Sequence, residues 1–323
     1  MNFEVKDLSG LGQPLTKLIE VVSKGLGLVL EPYQIRRLAR ARANETAITE
    51  AAKTEASIKA AQALTALDHR TLRLIPGISQ DVADRVTRRL VYQEVARQHN
   101  LDEVITHAVE ALPASVNQEQ PDADWTARFF NIASDVSDEQ MQTLWGKILA
   151  GETAIPGTYS LRTLEVLRNI TKSEAELFAQ ACSLVAGDNA FVLQIPSTRV
   201  GMLMEVDEAA LSRFNLSFAC RTRLAEAGLM TLAEITLDAK AMRKEPANFF
   251  YNGKYIRFEL MDPLPPATGL SQIPPSNLPV VSFTEAGRSL GTLIPNNFNE
   301  DYVNLLIERY RLYGVNITVH PLS

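Results

Sequence analysis

Side chains with reactive chemistry are few and scattered in this sequence. Cys182 and Cys220 are its two cysteines, too few for a metal quartet or a disulfide framework, and both stand in stretches that read as helix interiors. His99 and His107 lie eight residues apart with no third ligand type at useful spacing, which favours surface or hydrogen-bonded core roles over a metal site. The motifs that cradle phosphates, hold zinc on a helix, pair redox cysteines or raise a nucleophilic serine are missing. Gly10 and Gly12, and again Gly25 and Gly27, lack the strand-turn-helix setting of a dinucleotide loop. Asp238-Ala239-Lys240 matches the end of a metal-dependent nuclease signature, with no upstream acid on a strand to complete it. The residues therefore nominate no catalytic group, no metal ligand and no cofactor.

Binding chemistry is better represented. Glu152, Tyr159, Ser160 and Arg162 gather around a turn between two helices, where a small pocket is geometrically feasible; the simpler reading has Arg162 clamping Glu152 or helix carbonyls and Ser160 capping a helix. Arg36, Arg37, Arg40 and Arg42 put four positive charges within two helical turns, suited to a solvated face, an acidic partner, or phosphate and anionic lipid. Arg213, Arg221 and Arg223 give a modest cationic footprint for DNA further along the chain.

The elements that must position these residues are mostly helical. Leu15, Leu18, Ile19 and Val22 recur at three- and four-residue spacing and share one helix face. That face fits packing on the protein's own core or on another subunit, and less well in-plane membrane attachment, because the opposite face carries few cations. From Pro32 to about Leu67 the chain lacks further Pro or Gly and is rich in Ala, Arg, Glu, Lys and Gln, which predicts one long helix with a weak apolar seam in need of a partner helix. Ser79 is placed to cap a helix starting at Gln80, which runs to about Asn100 before a second helix covers 101–112. The polar segment 113–123, with two prolines, reads as a linker. Beyond it Asp122 or Asp124 caps a helix bearing Trp125, Phe129 and Ile132. Ser137 opens another, bearing Trp145, Ile148 and Leu149, which Gly151 ends. Thr171 and Glu174 form a capping box for a further helix. After about Gly187 the periodicity shifts, and 191–196, 254–260, 279–284 and 315–321 read as strands between helices.

The fold expected is mainly α, with helical amino-terminal and central regions followed by a small α+β domain. The corresponding segments are 1–31, 32–112, 113–123, 124–187 and 188–323. With 323 residues, 46% of them apolar and 22% charged, the chain is long enough for two ordinary globular domains. Its net charge of −6 does not by itself advertise nucleic-acid binding, so that function would need a local basic face. The first ten residues lack the basic and apolar regions of a signal peptide, and the most apolar early stretch, 15–30, is interrupted by Lys17, Glu20 and Lys24. A cytoplasmic protein without a transmembrane span is expected.

Three resemblances add to this. The run Asp124-Trp125, Arg128-Phe129-Phe130, Val136-Ser137-Asp138-Glu139, Leu144 to Glu152 and Pro156 to Leu164 resembles the signature of an uncharacterised bacterial family, domain of unknown function 2806. Within it, the phrase Trp145 to Ala150 is similar more loosely to helical proteins of abortive infection and prophage defence. Leu74-Ile75-Pro76-Gly77-Ile78 resembles a helix-hairpin-helix DNA motif, with Ser79 where that motif has Gly. In the carboxyl-terminal part, Leu224 to Leu229 and Phe283 to Leu290 are similar to phrases of winged-helix proteins, which bind DNA or pair proteins. Together the residues and resemblances lead to the expectation of a non-enzymatic, homo-oligomeric or protein-binding chain, a sensor or scaffold in phage defence. The alternatives are a DNA-binding regulator using the winged-helix-like domain and a peripheral membrane effector using the face of Leu15, Leu18, Ile19 and Val22.

Overall fold

The computed structural model describes residues 12–27, 79–187, 190–198, 204–232, 235–238, 245–261, 277–295 and 297–321. The expected helix 32–67 with Arg36, Arg37, Arg40 and Arg42, the phrase 74–78 and Lys240 lie outside these residues. The described residues form ten helices and seven short strands, and the chain divides into two compact units at Leu161.

The first unit holds α1 (Gln13–Leu26), α2 (Gln80–Ala111), α3 (Ala123–Ala133) and α4 (Glu139–Ala154). Pro14 sits in the first turn of α1, where its missing N–H costs nothing, and Gly27 closes the helix in the left-handed conformation at φ 64°. Asp122 caps α3 by accepting from the Trp125 N–H at 2.9 Å, and Asp138 caps α4 by accepting from the Met141 N–H at 3.0 Å. The α4 cap is thus one residue later than Ser137. Gly151 does not end this helix, which continues to Ala154. Nor does α2 break at Asn100: it is one helix of 32 residues, roughly 48 Å at 1.5 Å per residue. Asn100 instead donates from Nδ2 to the Ser134 carbonyl at 2.8 Å.

Trp125, Phe129, Phe130 and Trp145 form the centre of this unit. Trp125 stacks on Phe129 with centroids 5.1 Å apart, and Phe129 meets Trp145 at 5.3 Å. Two glycines let helices approach around that centre. A Cβ on Gly25 would lie 2.2 Å from the Phe130 ring, and one on Gly146 would lie 2.4 Å from His107 Cβ and 2.9 Å from the Ala108 nitrogen. The segment between α2 and α3 has no regular structure yet is tied down. Lys17 Nζ donates to the Asn117 and Glu119 carbonyls, the Asn117 N–H donates to the Ala154 carbonyl at 2.8 Å, and Gln120 Nε2 donates to Glu20 Oε2 at 2.9 Å. Burial holds the Lys17 ammonium below its ordinary pKa, opposed by Glu119 and Glu20.

The second unit is α+β. It holds α5 (Leu161–Asn169), α6 (Lys172–Cys182), β1 (Val185–Ala186), β2 (Phe191–Leu193), α7 (Glu208–Ser212), α8 (Phe218–Glu226), β3 (Ile235–Asp238), β4 (Ala247–Tyr251), β5 (Lys254–Leu260), β6 (Asn277–Ser282), α9 (Glu285–Gly291), α10 (Glu300–Leu312) and β7 (Val315–Pro321). The capping box of α6 forms as expected from Thr171 and Glu174. One antiparallel sheet runs β1-β2-β6-β3 and a second runs β4-β5-β7. The strands expected at 254–260 and 315–321 have those bounds, whereas β1, β3 and β4 were not anticipated. An Asn252-Gly253 turn, with φ 42° and 84°, joins β4 to β5 in the manner of a two-residue hairpin.

Alternation along β5 puts Ile256 and Phe258 in the core, against α10, where Phe258 meets Tyr310 at 5.9 Å. Three α10-region tyrosines reach across to the chain leaving β2. Tyr302 donates to the Leu193 carbonyl, Tyr310 to Gln194 at 3.0 Å and Tyr313 to Ser197 at 3.0 Å. Tyr251 donates to the Ser183 carbonyl at 2.6 Å, and Asn252 Nδ2 reaches the carbonyls of Cys182, Ser183 and Asn297 at 3.3, 2.9 and 3.2 Å.

The α2–α4 contact yields a direct test. Gly146→Ala forces a methyl against helix backbone, so it should lower stability by about 1–3 kcal/mol, as overpacking of a close contact does. Urea unfolding measures this, and an unchanged midpoint would show that the two helices do not meet at Gly146.

Candidate functional site

The turn after α4 is built around a carboxylate. Glu152 lies in the last turn of α4 and is 2% exposed. Its Oε1 accepts from the Gly157 N–H at 2.6 Å and its Oε2 from the Tyr159 N–H at 2.9 Å. Gly157 supplies the left-handed residue of the turn at φ 87°, and Gly151 leaves room for the Tyr159 ring, since a Cβ there would lie 2.9 Å from Tyr159 Cε2. Burial raises the Glu152 carboxyl above its ordinary pKa, against the lowering effect of the backbone N–H groups of Gly157, Tyr159 and Thr158. Both oxygens are therefore engaged by the protein's own donors. The arrangement holds a turn, and Arg162, expected to clamp Glu152, is exposed on the first turn of α5.

The arginines nominated for DNA contact separate in the same way. Arg221 is 6% exposed; its Nη1 donates to the Leu216 carbonyl at 3.0 Å and its Nη2 to Glu208 Oε1 at 2.5 Å. Glu208 Oε2 in turn accepts from the Phe218 N–H at 3.2 Å. Arg221 thus braces α7 against the start of α8 and is not presented to solvent, which corrects its nomination as a DNA contact. Arg213 and Arg223 are exposed, the latter donating from Nη2 to Ser173 Oγ at 3.0 Å.

On α1, Leu18, Ile19 and Val22 are fully buried and Leu15 is half-buried, with the helix packed on α3 and α4. A lipid-inserting role for this face would require α1 to leave that core. Beside it lies a cavity of about 310 Å³ lined by Val21, Lys24, Gly25, Gln120, Pro121 and Thr126, at the low end of ligand-pocket volumes. No helix among the described residues is long and apolar enough to cross a membrane.

His107 is 6% exposed between α2 and α4, with Nε2 3.2 Å from Thr143 Oγ1 and Nδ1 3.5 Å from Glu110 Oε2, while His99 is exposed. Among the described residues no group of three His, Cys, Asp or Glu side chains is placed to hold a metal. Cys182 is buried, and burial pushes its thiol up to about 12, away from thiolate chemistry.

The feature that sequence reasoning missed is on the amino half of α2. Ala83, Thr87 and Val91 form a buried stripe, whereas Val82, Leu90 and Tyr92 are 38%, 46% and 77% exposed. The spacing of Val82, Val86 and Leu90, one residue ahead of Ala83, Thr87 and Val91, carried the signal: the apolar arc is too wide for one packing seam. Arg85, Arg88 and Arg89 flank these side chains, giving the Tyr, Leu and Arg mixture enriched at protein interfaces.

Comparison with known proteins adds a family. A family model described as "Protein of unknown function (DUF2806)" matches residues 84–307, well over half of the chain. No curated protein and no solved structure matches.

Two expectations follow from the site chemistry. Because Glu152 has a raised folded-state pKa, its proton-linked stabilisation is full below the unfolded value and is lost as pH rises through the folded value. The melting-temperature difference between wild type and Glu152→Gln should accordingly shift in favour of wild type as pH falls from 7 toward 4; a difference constant across that range would show that the carboxyl is not buried. A thiol reagent should modify Cys220 but spare Cys182 in the native protein and reach both in denaturant, and rapid native modification of Cys182 would contradict its burial.

Proposed function

We propose the following reading of this chain, which belongs to the DUF2806 family of proteins of unknown function: it is a non-enzymatic interaction protein that assembles with further copies of itself through the amino half of α2. The observation that carries this reading is the exposed row of Val82, Leu90 and Tyr92 on a helix whose carboxyl half alone packs against α4 through Leu101, Val104, Ile105 and Ala108. Large exposed apolar and aromatic side chains, flanked by arginines, are what an interface core requires. The engagement of Glu152, Arg221 and Cys182 in structural roles supports the non-enzymatic part. The similarity of the Trp145 to Ala150 phrase to abortive-infection and prophage proteins supports a sensor or scaffold role in bacterial defence against phage, in the cytoplasm.

For the second unit the reading is a winged-helix-like module that pairs proteins. It is supported by the meeting of the two resembling phrases: Thr284 Oγ1 donates to the Gly228 carbonyl at 2.6 Å, and the Thr284 N–H donates to the Leu229 carbonyl at 3.0 Å. Duplex DNA binding through α8 draws less support, because Arg221 faces inward.

Light scattering coupled to size exclusion on the full chain tests the assembly. Removing residues before Pro121 would strip α1 and α2 from the tryptophan core, so surface variants are preferable. The wild type should run as an oligomer, and Leu90→Glu with Tyr92→Glu should give a monomer with an unaltered melting curve. A monomeric wild type, or an oligomer indifferent to both substitutions, rules the assembly out.

A further inference from the structure

The second sheet presents an unusual outer face. Pairing registers align Asn248, Arg257 and Thr318 in one row and Phe250, Tyr255 and His320 in the next, with Glu259 and Asn316 beyond. The opposite face, with Ile256, Phe258 and Ile317, is core, so the outer face is held by a packed and rigid support. An outward face of an antiparallel sheet is ordinarily polar. Here Phe250 and Tyr255 form an edge-to-face pair with centroids 6.1 Å apart, and Tyr255 is 41% exposed.

We infer that this face of β4-β5-β7 is a stacking platform for single-stranded nucleic acid. The chemistry is that of a flat, rigid support carrying aromatic rings for base stacking beside a guanidinium and neutral hydrogen-bonding groups for phosphate, sugar and base edges. Arg257 is 41% exposed and lies 3.9 Å from Glu259, a loose contact that a phosphate can replace. His320 is exposed, and its Nε2 is 2.8 Å from Thr318 Oγ1, which orients the ring beside Tyr255. Glu259 is the one carboxylate in these rows against Arg257 and the titratable His320, on a chain that carries six more acidic than basic side chains. The face is thus relatively poor in acid where the molecule as a whole is rich in it. Duplex DNA does not fit the same description, because its bases are stacked away from a flat surface. The inference is independent of assembly through α2.

Fluorescence anisotropy with the full chain tests it, using fluorescein-labelled dodecamers of thymidine and of uridine at low salt. Both arms share the stacking chemistry, and the tighter one identifies DNA or RNA as the natural source. Wild type should bind, Tyr255→Ala should bind about tenfold more weakly, and Tyr255→Phe should bind as wild type does, since the ring and not the hydroxyl stacks. Arg257→Gln should flatten the salt dependence by about 0.7 in the log–log slope, the loss of one phosphate contact on a single strand. Absence of binding by wild type, binding indifferent to Tyr255→Ala, or equal competition by duplex overturns the inference. So does retention on immobilised polysaccharide or on a protein partner that Tyr255→Ala abolishes while oligonucleotide binding is absent.

Discussion

Buried backbone groups that lie outside helices and ladders must find partners, and meeting that need shapes both units of this protein. Leaving such a group unpaired costs about 1–3 kcal/mol, a sizeable fraction of a domain's stability. Here long polar side chains answer it. Lys17 binds the carbonyls of the α2–α3 connection, Glu152 binds the N–H groups of the turn after α4, and Arg221 binds the Leu216 carbonyl. Tyr302, Tyr310 and Tyr313 bind three carbonyls of the chain leaving β2. Each of these side chains is of a type that elsewhere does chemistry. Burial and full hydrogen bonding make them braces, and the tyrosine hydroxyls among them are raised well above their ordinary pKa by that burial.

This pattern explains which parts of the structure could be read from the sequence. Asp122, the Thr171–Glu174 box and Thr284 act on residues three positions away, and such local caps are visible as short motifs. The β5 and β7 strands are visible because their alternation is regular and one face is core. Glu152 was correctly singled out as part of a cluster, but its partners are backbone N–H groups, which carry no sequence signal. Arg221 looked like one of three equivalent surface cations. Its inward turn depends on Glu208 thirteen residues earlier, a relation set by the fold of α7 against α8.

Two boundaries were missed for related reasons. Asn100 looked like a helix stop because its side chain competes for backbone hydrogen bonds in many settings; here that side chain is occupied by Ser134, and α2 runs through. β4, with the sequence Ala-Asn-Phe-Phe-Tyr, has two adjacent phenylalanines and no clean alternation. The fold resolves it by sending Phe249 toward Phe258 and Phe250 toward Tyr255, on opposite faces. The same irregularity that hid the strand produced the aromatic outer surface.

The hairpin between β4 and β5 has a covalent dimension. Asn-Gly is the dipeptide in which the glycine nitrogen most readily attacks the asparagine side-chain carbonyl, expelling ammonia and leaving an imide that water opens to aspartate or its isomer. In Asn252 the carboxamide is 8% exposed and drawn toward three carbonyl oxygens, and closing the ring would require it to abandon them. The product carboxylate would meet those oxygens as like charge and as an acceptor facing acceptors. Ageing at this position is therefore held back by the native packing itself, and the ammonia lost from a stored sample becomes a slow clock for how often the hairpin comes open.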